Sequence, residues 1–520
     1  MTNHSDSWLD GLRRRPAEGG ADLRPAALLG LALGLLGLGA ALVWTALHRG
    51  PWYDEFYTWF VSRPERSLGE SLRESWLVDN HPPLFNLLSW LGAHLAPSIE
   101  TLRLINLVGL ALAVSGGAIL LRRSPQLWAL AAFFALSLAA NETALRSGAE
   151  LRSYFLSSLV GAVTVLAIVI GWLEGELRRR GQRLVLWVTL LIGFNLHILT
   201  SVILGALLVP FLAAAWLRGR RALLGQILIP ALVAGTLFLA VSTLQFRLWE
   251  ANTARFWIPA GFNAARWAIE YGVQRAGEAN LLITLAALVG TGLLGWQVWR
   301  ERRLPPALEA MLLLGAGIAL ATVLLIGLHM LRPVVMERYL AAMIPAVAMG
   351  TALGANAALR RIPGWLGQMI LLAASALTLW SLAGSAAHTA ARNSWEGSAQ
   401  RLGELVRICP DSPVHIDPPF WNAYTMSLPP ADNRMVFAKA YALMAARHGI
   451  KIEPPQSRKI SATCPTLFWD EHDTSAEWDT SKIAAHLRDQ GFAVERVWQY
   501  RIGDGWIASN RPLDGPLPAR

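Results

Sequence analysis

AALLGLALGLLGLGAALVWTAL, residues 26–47, runs for 22 positions without one Asp, Glu, Lys or Arg. As a helix it would be about 33 Å long, enough to cross a hydrocarbon core of ~30 Å. Its apolar core is too long, and the polar leader before it too extended, for a cleaved signal peptide. Uncharged runs recur at 82–99, 104–121, 124–141, 153–173, 222–246, 279–299, 310–331, 339–359 and 362–388. The stretch 184–217 also lacks charge but is too long for one crossing, and it divides near Asn195–Ser201. These segments give twelve candidate spans.

Composition agrees with that reading. Residues of the AVILMFWYC set make up 54% of the 520-residue chain and charged residues 16%, with a mean hydropathy of +0.37. Such a chain is too apolar for a soluble protein, a disordered one or a collagen-like repeat. The net charge is +10, from 46 basic and 36 acidic residues. In a soluble protein that excess would suggest nucleic acid. Here the arginines cluster in short tracts between apolar runs, as in the cytoplasmic loops of a membrane protein, so no nucleic-acid partner is expected. Membrane lipids are the expected surroundings.

The tracts at Arg13–Arg15, Arg122–Arg123, Arg178–Arg183, Arg218–Arg221, Arg300–Arg303 and Arg360–Arg361 mark one side of the membrane. The loops near Asn141–Arg152, Leu196–Ser201, Gln245–Glu278 and Arg332–Arg338 then share the other, outer side. Two apolar runs lie between the outer loop that begins at Gly50 and the inner Arg122, where a single crossing is needed. Either 82–99 is a short, partly inserted helix or Arg122–Arg123 breaks the rule, so 11 to 13 spans are expected.

The fold class expected is an all-α polytopic membrane protein of about 11–13 transmembrane helices with a C-terminal extracytoplasmic small α/β domain. Residues 1–24 read as a cytoplasmic leader, 25–388 as the transmembrane domain with an outer loop at 48–81 carrying juxtamembrane helices, and 389–520 as a soluble domain outside the membrane. In that tail β-like runs (Pro413–Ile416, Thr466–Trp469, Val494–Tyr500, Trp506–Ser509) alternate with helix-like ones (Trp395–Ile408, Ser481–Gln490). The chain's two cysteines, Cys409 and Cys464, both lie there. They exclude a disulfide scaffold and a Cys-rich metal site; whether they pair depends on the compartment.

Polar chemistry gathers in WYDEFYTWFVSRPERSLGESLRESWLVDNHPP, residues 52–83. Its aromatic residues suit two short amphipathic helices at headgroup level. Asp54 and Glu55 follow the exit of the first span, where a carboxylate could take a proton from a hydroxyl; an acidic pair there also commonly marks a solvated helix end. Asp79, Asn80 and His81 precede Pro82-Pro83, which suit the first turn of a helix, and an anion is favoured before such an N-terminus. The plainer alternative is a capped helix start with His81 reaching for solvent. Further outward groups are Arg146 with Glu150, Arg152 and Tyr154; then His197; then Arg332 with Glu337, Arg338 and Tyr339. Ionisable groups near membrane depth are functional candidates, with salt bridges (Glu150–Arg152, Glu337–Arg338) as the main alternative and helix packing for His197. The outer loops hold this polar set, whereas the inner loops read as only basic.

With these residues in view the chain resembles the GT-C superfamily. The resemblance rests on Asp54-Glu55 after the first span, D-x-H-P-P-L at Asp79–Leu84, E-x-R-x-Y at Glu150, Arg152 and Tyr154, and E-R-Y-L at Glu337–Leu340 with Pro345. It covers roughly residues 25–360 and is closest to the protein O-mannosyltransferase-like glycosyltransferases, to which the aminoarabinose transferases acting on lipid A are related. It implies an inverting glycosyltransferase, hexosyl or pentosyl, that moves a sugar from a polyprenyl-phosphate donor (undecaprenyl phosphate in bacteria) to a hydroxyl on a protein, lipid or glycan. The site would face the periplasm or exterior from a bacterial inner membrane. By that resemblance Asp54 is the general base and Glu55 orients it or the acceptor. Asp79 and His81 line the sugar and phosphate region. Arg152 and Arg338, helped by Tyr154 and Tyr339, receive the leaving phosphate. His81 stands where some relatives carry Lys. No cofactor and no metal are expected.

A transporter or flippase for a lipid-linked or anionic substrate fits the composition equally. It should, however, concentrate ionisable groups at mid-membrane, often within an internal repeat. This sequence places them in outer loops and shows no repeat.

Overall fold

Each of the twelve apolar segments is helical in the computed structural model, which describes residues 23–79, 81–253, 258–278, 280–392, 394–416, 435–471, 480–502 and 505–513. The leader up to residue 22, and the capping role considered for Asn80, lie outside these residues. Eight helices among the described residues are long and apolar enough to cross a membrane. They are α1 (Arg24–His48), Ile99–Leu121, Tyr154–Glu174, Ile198–Leu217, Arg221–Gln245, Leu281–Glu301, Pro306–Leu331 and Gly364–Ala390. Pro125–Ala139 and Glu142–Gly148 form a bent pair, at 69°, that would make a ninth. Leu84–Ala93 and Ile344–Leu359 are apolar but shorter, and Arg180–Leu196 has 17 residues. This is the polytopic all-helical class that the sequence implies. Leu84–Ala93 has ten residues, about 15 Å of helix against ~30 Å of hydrocarbon. Its length favours the short-helix answer to the count between Gly50 and Arg122.

The chain divides into two compact units. The first comprises the residues up to Ala46, Leu68–Leu88 and Arg103–Ala387; the second comprises Leu47–Ser67, Ser89–Leu102 and the chain from His388. The outer loop therefore contributes to both. Its first helix, α2 (Tyr53–Val61), belongs to the second unit, while a helical turn at Leu68–Glu70 continuing into a π-helix at Ser71–Trp76 belongs to the first.

α3 (Leu84–Ala93) begins in the first unit and ends in the second; in the first unit α4 (Ile105–Leu121), α5 (Trp128–Ala139) and α6 (Glu142–Gly148) lead to α7 (Tyr154–Glu174), whose apolar window is 83% buried. A helix apolar on every side belongs at the centre of a bundle. Its Ile168, Ile170 and Trp172 join Phe133 and Phe211 in the main core. The uncharged stretch 184–217 breaks at His197, between α8 (Arg180–Leu196) and α9 (Ile198–Leu217). Next come α10 (Arg221–Thr253) and α11 (Phe262–Glu278), so the outward segment expected as a loop at Gln245–Glu278 is largely helical. The unit closes with α12 (Leu281–Glu301), α13 (Pro306–Leu331), a 3₁₀ turn at Glu337–Leu340, α14 (Ile344–Leu359) and α15 (Gly364–Ala390).

The helix ends that carry the arginine tracts are not purely basic. Glu309, buried in the first turn of α13, pairs with Arg218 and accepts from Trp172 Nε1 at 3.3 Å, and Ser124 donates to Glu174. Four C-terminal strands form one sheet: β1 (Val414–Ile416), β2 (Leu467–Asp470), β3 (Trp498–Ile502) and β4 (Gly505–Ser509), in the order β1-β2-β4-β3. β1 pairs parallel to β2, and β4 antiparallel to both β2 and β3, with Leu467 opposite Ser509. Around the sheet lie α16 (Trp395–Ile408), α17 (Val436–His448) and α18 (Thr480–Asp489); α17 had no sequence-based expectation. Cys409 and Cys464 are joined by a disulfide, 55 residues apart.

α12 and α14 cross at glycine. A Cβ built on Gly290 would come 1.8 Å from the Gly354 carbonyl oxygen. Small residues let membrane helices approach this closely, so an added methyl has to push backbone. Gly290→Ala is expected to lower the stability of the purified protein by about 1–3 kcal/mol, read as a lower thermal unfolding midpoint in detergent; an unchanged midpoint would mean that the crossing relaxes without cost.

Candidate functional site

In the first unit polar residues singled out from the sequence gather at three breaks in the helical bundle. The first is the stretch from Trp76 to Pro83. Its backbone is gathered by one side chain, Gln245 on α10, which is fully buried. The Gln245 amide donates to the carbonyls of Trp76 at 3.0 Å, Asp79 at 3.1 Å and His81 at 3.0 Å. Carbonyls off a helix at membrane depth must find donors in the protein, and this amide supplies them.

The second break is His197. Its Nδ1 accepts the Leu199 N–H at 3.2 Å, in the N-cap position of α9. An accepting Nδ1 carries no proton, so the neutral ring holds its proton on Nε2. That Nε2 is buried with no hydrogen-bond partner among the described residues, as is Nδ1 of His81. The two imidazoles stack with centroids 4.7 Å apart.

The third break is the 3₁₀ turn Glu337–Leu340, which brings Tyr339 to 5.2 Å from His197 and 5.4 Å from Tyr154, centroid to centroid. Tyr154 opens α7 and sits 5.7 Å from His197. Upstream of it Asn106 donates to the carbonyls of Gly148 and Glu150, both at 2.9 Å, fixing the approach to α7. Four rings, His81, His197, Tyr154 and Tyr339, therefore meet. Arg152 lies 5.6 Å over the Tyr154 ring and donates to its hydroxyl at 3.3 Å; Arg338 lies 5.5 Å over Tyr339. A guanidinium over an aromatic face is held by the ring quadrupole.

These charges are felt inside the cluster. Burial first, then Arg152 and Arg338, push the His81 imidazole down from 6.5 to about 3. At neutral pH His81 is uncharged, and the positive charge belongs to the two arginines. The site thus presents two guanidiniums and buried imidazole nitrogens, a set suited to the oxygens of an anion.

The acids in the two signatures differ in their roles. Glu337 pairs with Arg146 of α6 at 2.7 Å, a partner other than the adjacent Arg338 considered from sequence. Glu150 is buried before α7. Asp79 enters through its carbonyl, held by Gln245. In the second unit Asp54 and Glu55 occupy the first turn of α2, where the helix dipole favours carboxylates. Glu55 is fully buried and its Oε2 accepts the Trp52 N–H at 3.3 Å, while Asp54 is partly exposed. Burial and the Asp54 charge raise the Tyr53 phenol.

Of the first-unit cluster, Gln245 was not singled out from sequence, and His197 was named there with helix packing as its alternative. Both are polar residues inside otherwise apolar runs, which is the one signal they give.

No protein-family profile and no curated protein sequence matches the chain. Among solved structures it is similar to ArnT from Cupriavidus metallidurans in the apo state, with a TM-score of 0.50 at 13% identity, covering 93% of this chain and 97% of that one. A structure of the same ArnT bound to undecaprenyl phosphate has a TM-score of 0.49 at 14% identity, over 94% and 99% of the two chains. The likeness to the apo structure shows the fold alone: the polytopic helical architecture of ArnT, with a small C-terminal sheet in this chain.

The depressed His81 value fixes a sign. Unfolded, His81 binds a proton near 6.5, and folded only near 3. Between those values the unfolded chain holds more protons, so stability falls as pH drops from 6.5 towards 3 and levels off above 6.5. His81→Gln is expected to shrink the difference in unfolding midpoint between pH 4.5 and pH 7.5. An unchanged difference would show that His81 titrates alike in both states.

Proposed function

We propose that this chain is a glycosyltransferase of the outer membrane face, moving a sugar from a polyprenyl-phosphate donor to a hydroxyl acceptor with inversion. The observation that supports this best is the cluster of Arg152, Arg338, His81, His197, Tyr154 and Tyr339 within a fold shared with ArnT. In this reading the cluster takes the donor phosphate, and the two guanidiniums balance the charge that grows on it as the sugar leaves. The Nε2–H of His197 adds a fixed donor, and the tyrosines seat the arginines.

Asp54 is the general base. It takes the proton of the acceptor hydroxyl, whose oxygen attacks the anomeric carbon from the face opposite the phosphate. The bond between that carbon and the phosphate oxygen breaks, and the polyprenyl phosphate departs with the bonding pair. Glu55, committed to the start of α2, orients the helix that carries Asp54. Asp79 and His81 line the sugar and phosphate region. No resident metal takes part in this scheme. The Cys409–Cys464 disulfide suits a tail in an oxidising compartment, such as the periplasm outside a bacterial inner membrane. The acceptor class is a protein, lipid or glycan hydroxyl, and the sugar is a hexose or pentose.

The test is transfer by the purified protein in lipid nanodiscs, supplied with undecaprenyl-phosphate-linked hexose and pentose donors and with a cell-envelope extract providing protein, lipid and glycan hydroxyl acceptors, and scored by release of undecaprenyl phosphate. Release with one donor, giving an inverted anomer, is expected. Asp54→Asn should lower kcat by 10²-fold or more, on the order of general-base removal. Arg338→Ala should cost about 3 kcal/mol, near 10²-fold in kcat/KM, as for loss of one charge-stabilising donor. Chelation should leave the rate unchanged. No release from any donor by a protein that remains folded would overturn the proposal, and near-normal transfer by Asp54→Asn would remove Asp54 from it.

A further inference from the structure

The second unit ties the approach to α2, which carries Asp54, and its first turns to the C-terminal segment. At its start Gly50 lies against Ser394 and Glu396: a Cβ on Gly50 would stand 2.2 Å from Ser394 Oγ and 2.4 Å from Glu396 Cβ. The Trp395 N–H then donates to the Pro51 carbonyl at 3.1 Å. On the helix itself Tyr53 meets Phe437 and Phe56 meets Trp395, both with ring centroids 4.7 Å apart. Trp395 continues to Tyr441 at 4.8 Å, and Tyr441 to Trp469 of the central strand at 4.9 Å. Phe56 and Phe60 are fully buried, so α2 lays its apolar face on this stack.

A charged knot closes beside it. Arg447, near the end of α17, pairs with Glu396 at 2.9 Å and with Glu100 at 2.9 Å, and His448 pairs with Glu396 at 2.6 Å. Glu100 sits in the short helix Ile99–Leu102, and Trp59 of α2 donates to the Pro97 carbonyl at 3.1 Å just before it. Arg447 is thereby the one side chain in this knot bonded both to the tail helix α16 and to the loop that follows α3. Three carboxylate oxygens held by Arg447 and His448 fix orientation more than they add stability near a surface.

We infer that the C-terminal segment is a positioning element: through Trp395, Phe437 and the Arg447 knot it sets the orientation of α2, and with it the direction of the Asp54 and Glu55 carboxylates. The catalytic consequence rests on the role proposed above for Asp54; the anchoring itself does not. Arg447 is a positioning residue, acting through α2 and not on substrate.

The experiment measures amide hydrogen exchange over residues 53–61 and steady-state transfer in the same full-length preparations of wild type, Arg447→Ala, Arg447→Lys and Phe437→Leu. Arg447→Ala should speed exchange across 53–61 while leaving the spans of the first unit unchanged. It should lower kcat by about 10- to 100-fold, the size expected when a catalytic group is held about 1 Å astray, with KM for the lipid donor unaltered. Arg447→Lys should recover part of both effects, and Phe437→Leu should reproduce the exchange effect without touching charge. Unchanged exchange over 53–61 in both Arg447→Ala and Phe437→Leu would overturn the anchoring. Faster exchange with unchanged kcat would overturn the catalytic consequence. Asp54→Asn, assayed alongside, separates the two proposals: if it transfers normally the base assignment fails, while the exchange data still decide the anchor.

Discussion

Backbone that leaves a helix at membrane depth has to find its hydrogen bonds inside the protein, because hydrocarbon offers none. The first unit meets that demand at two of its three breaks, and again ahead of α7, with one polar side chain each. Gln245 gathers three carbonyls of the stretch before α3, His197 caps α9 with its own ring nitrogen, and Asn106 holds two carbonyls ahead of α7. Everything notable about the site follows from these local solutions. The breaks bring Arg152, Arg338 and two imidazoles together, and the caps determine which ring nitrogens are left to face a ligand.

Charge at this site is arranged by exclusion. With its imidazole neutral at physiological pH, His81 does not compete with an anion's other cations, and the guanidiniums remain the only permanent charges of the cluster. Arginine suits such a place, since it stays protonated and can lie flat on an aromatic ring while offering its edge to oxygen. The acid beside Arg338 in the same turn is engaged elsewhere, since Glu337 pairs with Arg146. That division leaves Arg152 and Arg338 as the charged side chains over the ring cluster.

The bundle was legible in the sequence because absence of charge over about 20 residues has few other physical meanings. The division of 184–217 falls within the stretch expected, at His197, and α16 has the bounds read from its pattern. The strands near residues 414, 467 and 506 emerged because buried β-rich runs between turn residues are distinctive. Other features were hidden for definite reasons. α17 is poor in periodic contrast, and its capping Gly449 gives only a weak stop signal. The pairing of Arg146 with Glu337 spans 191 residues, which no local spacing can reveal. The assignment of residues 47–67 to the second unit is likewise tertiary. The acids Glu174 and Glu309 at the basic ends were overlooked because side was read from Lys and Arg alone.

The bond between Cys409 and Cys464 also records history. Reducing cytosol keeps thiols apart, whereas an exported tail meets oxidants as it emerges. On the proposed reading, with the tail outside the cytoplasm, the two sulfur atoms would register covalently which way the polypeptide was threaded across the membrane, and a copy inserted the other way round would carry them unjoined.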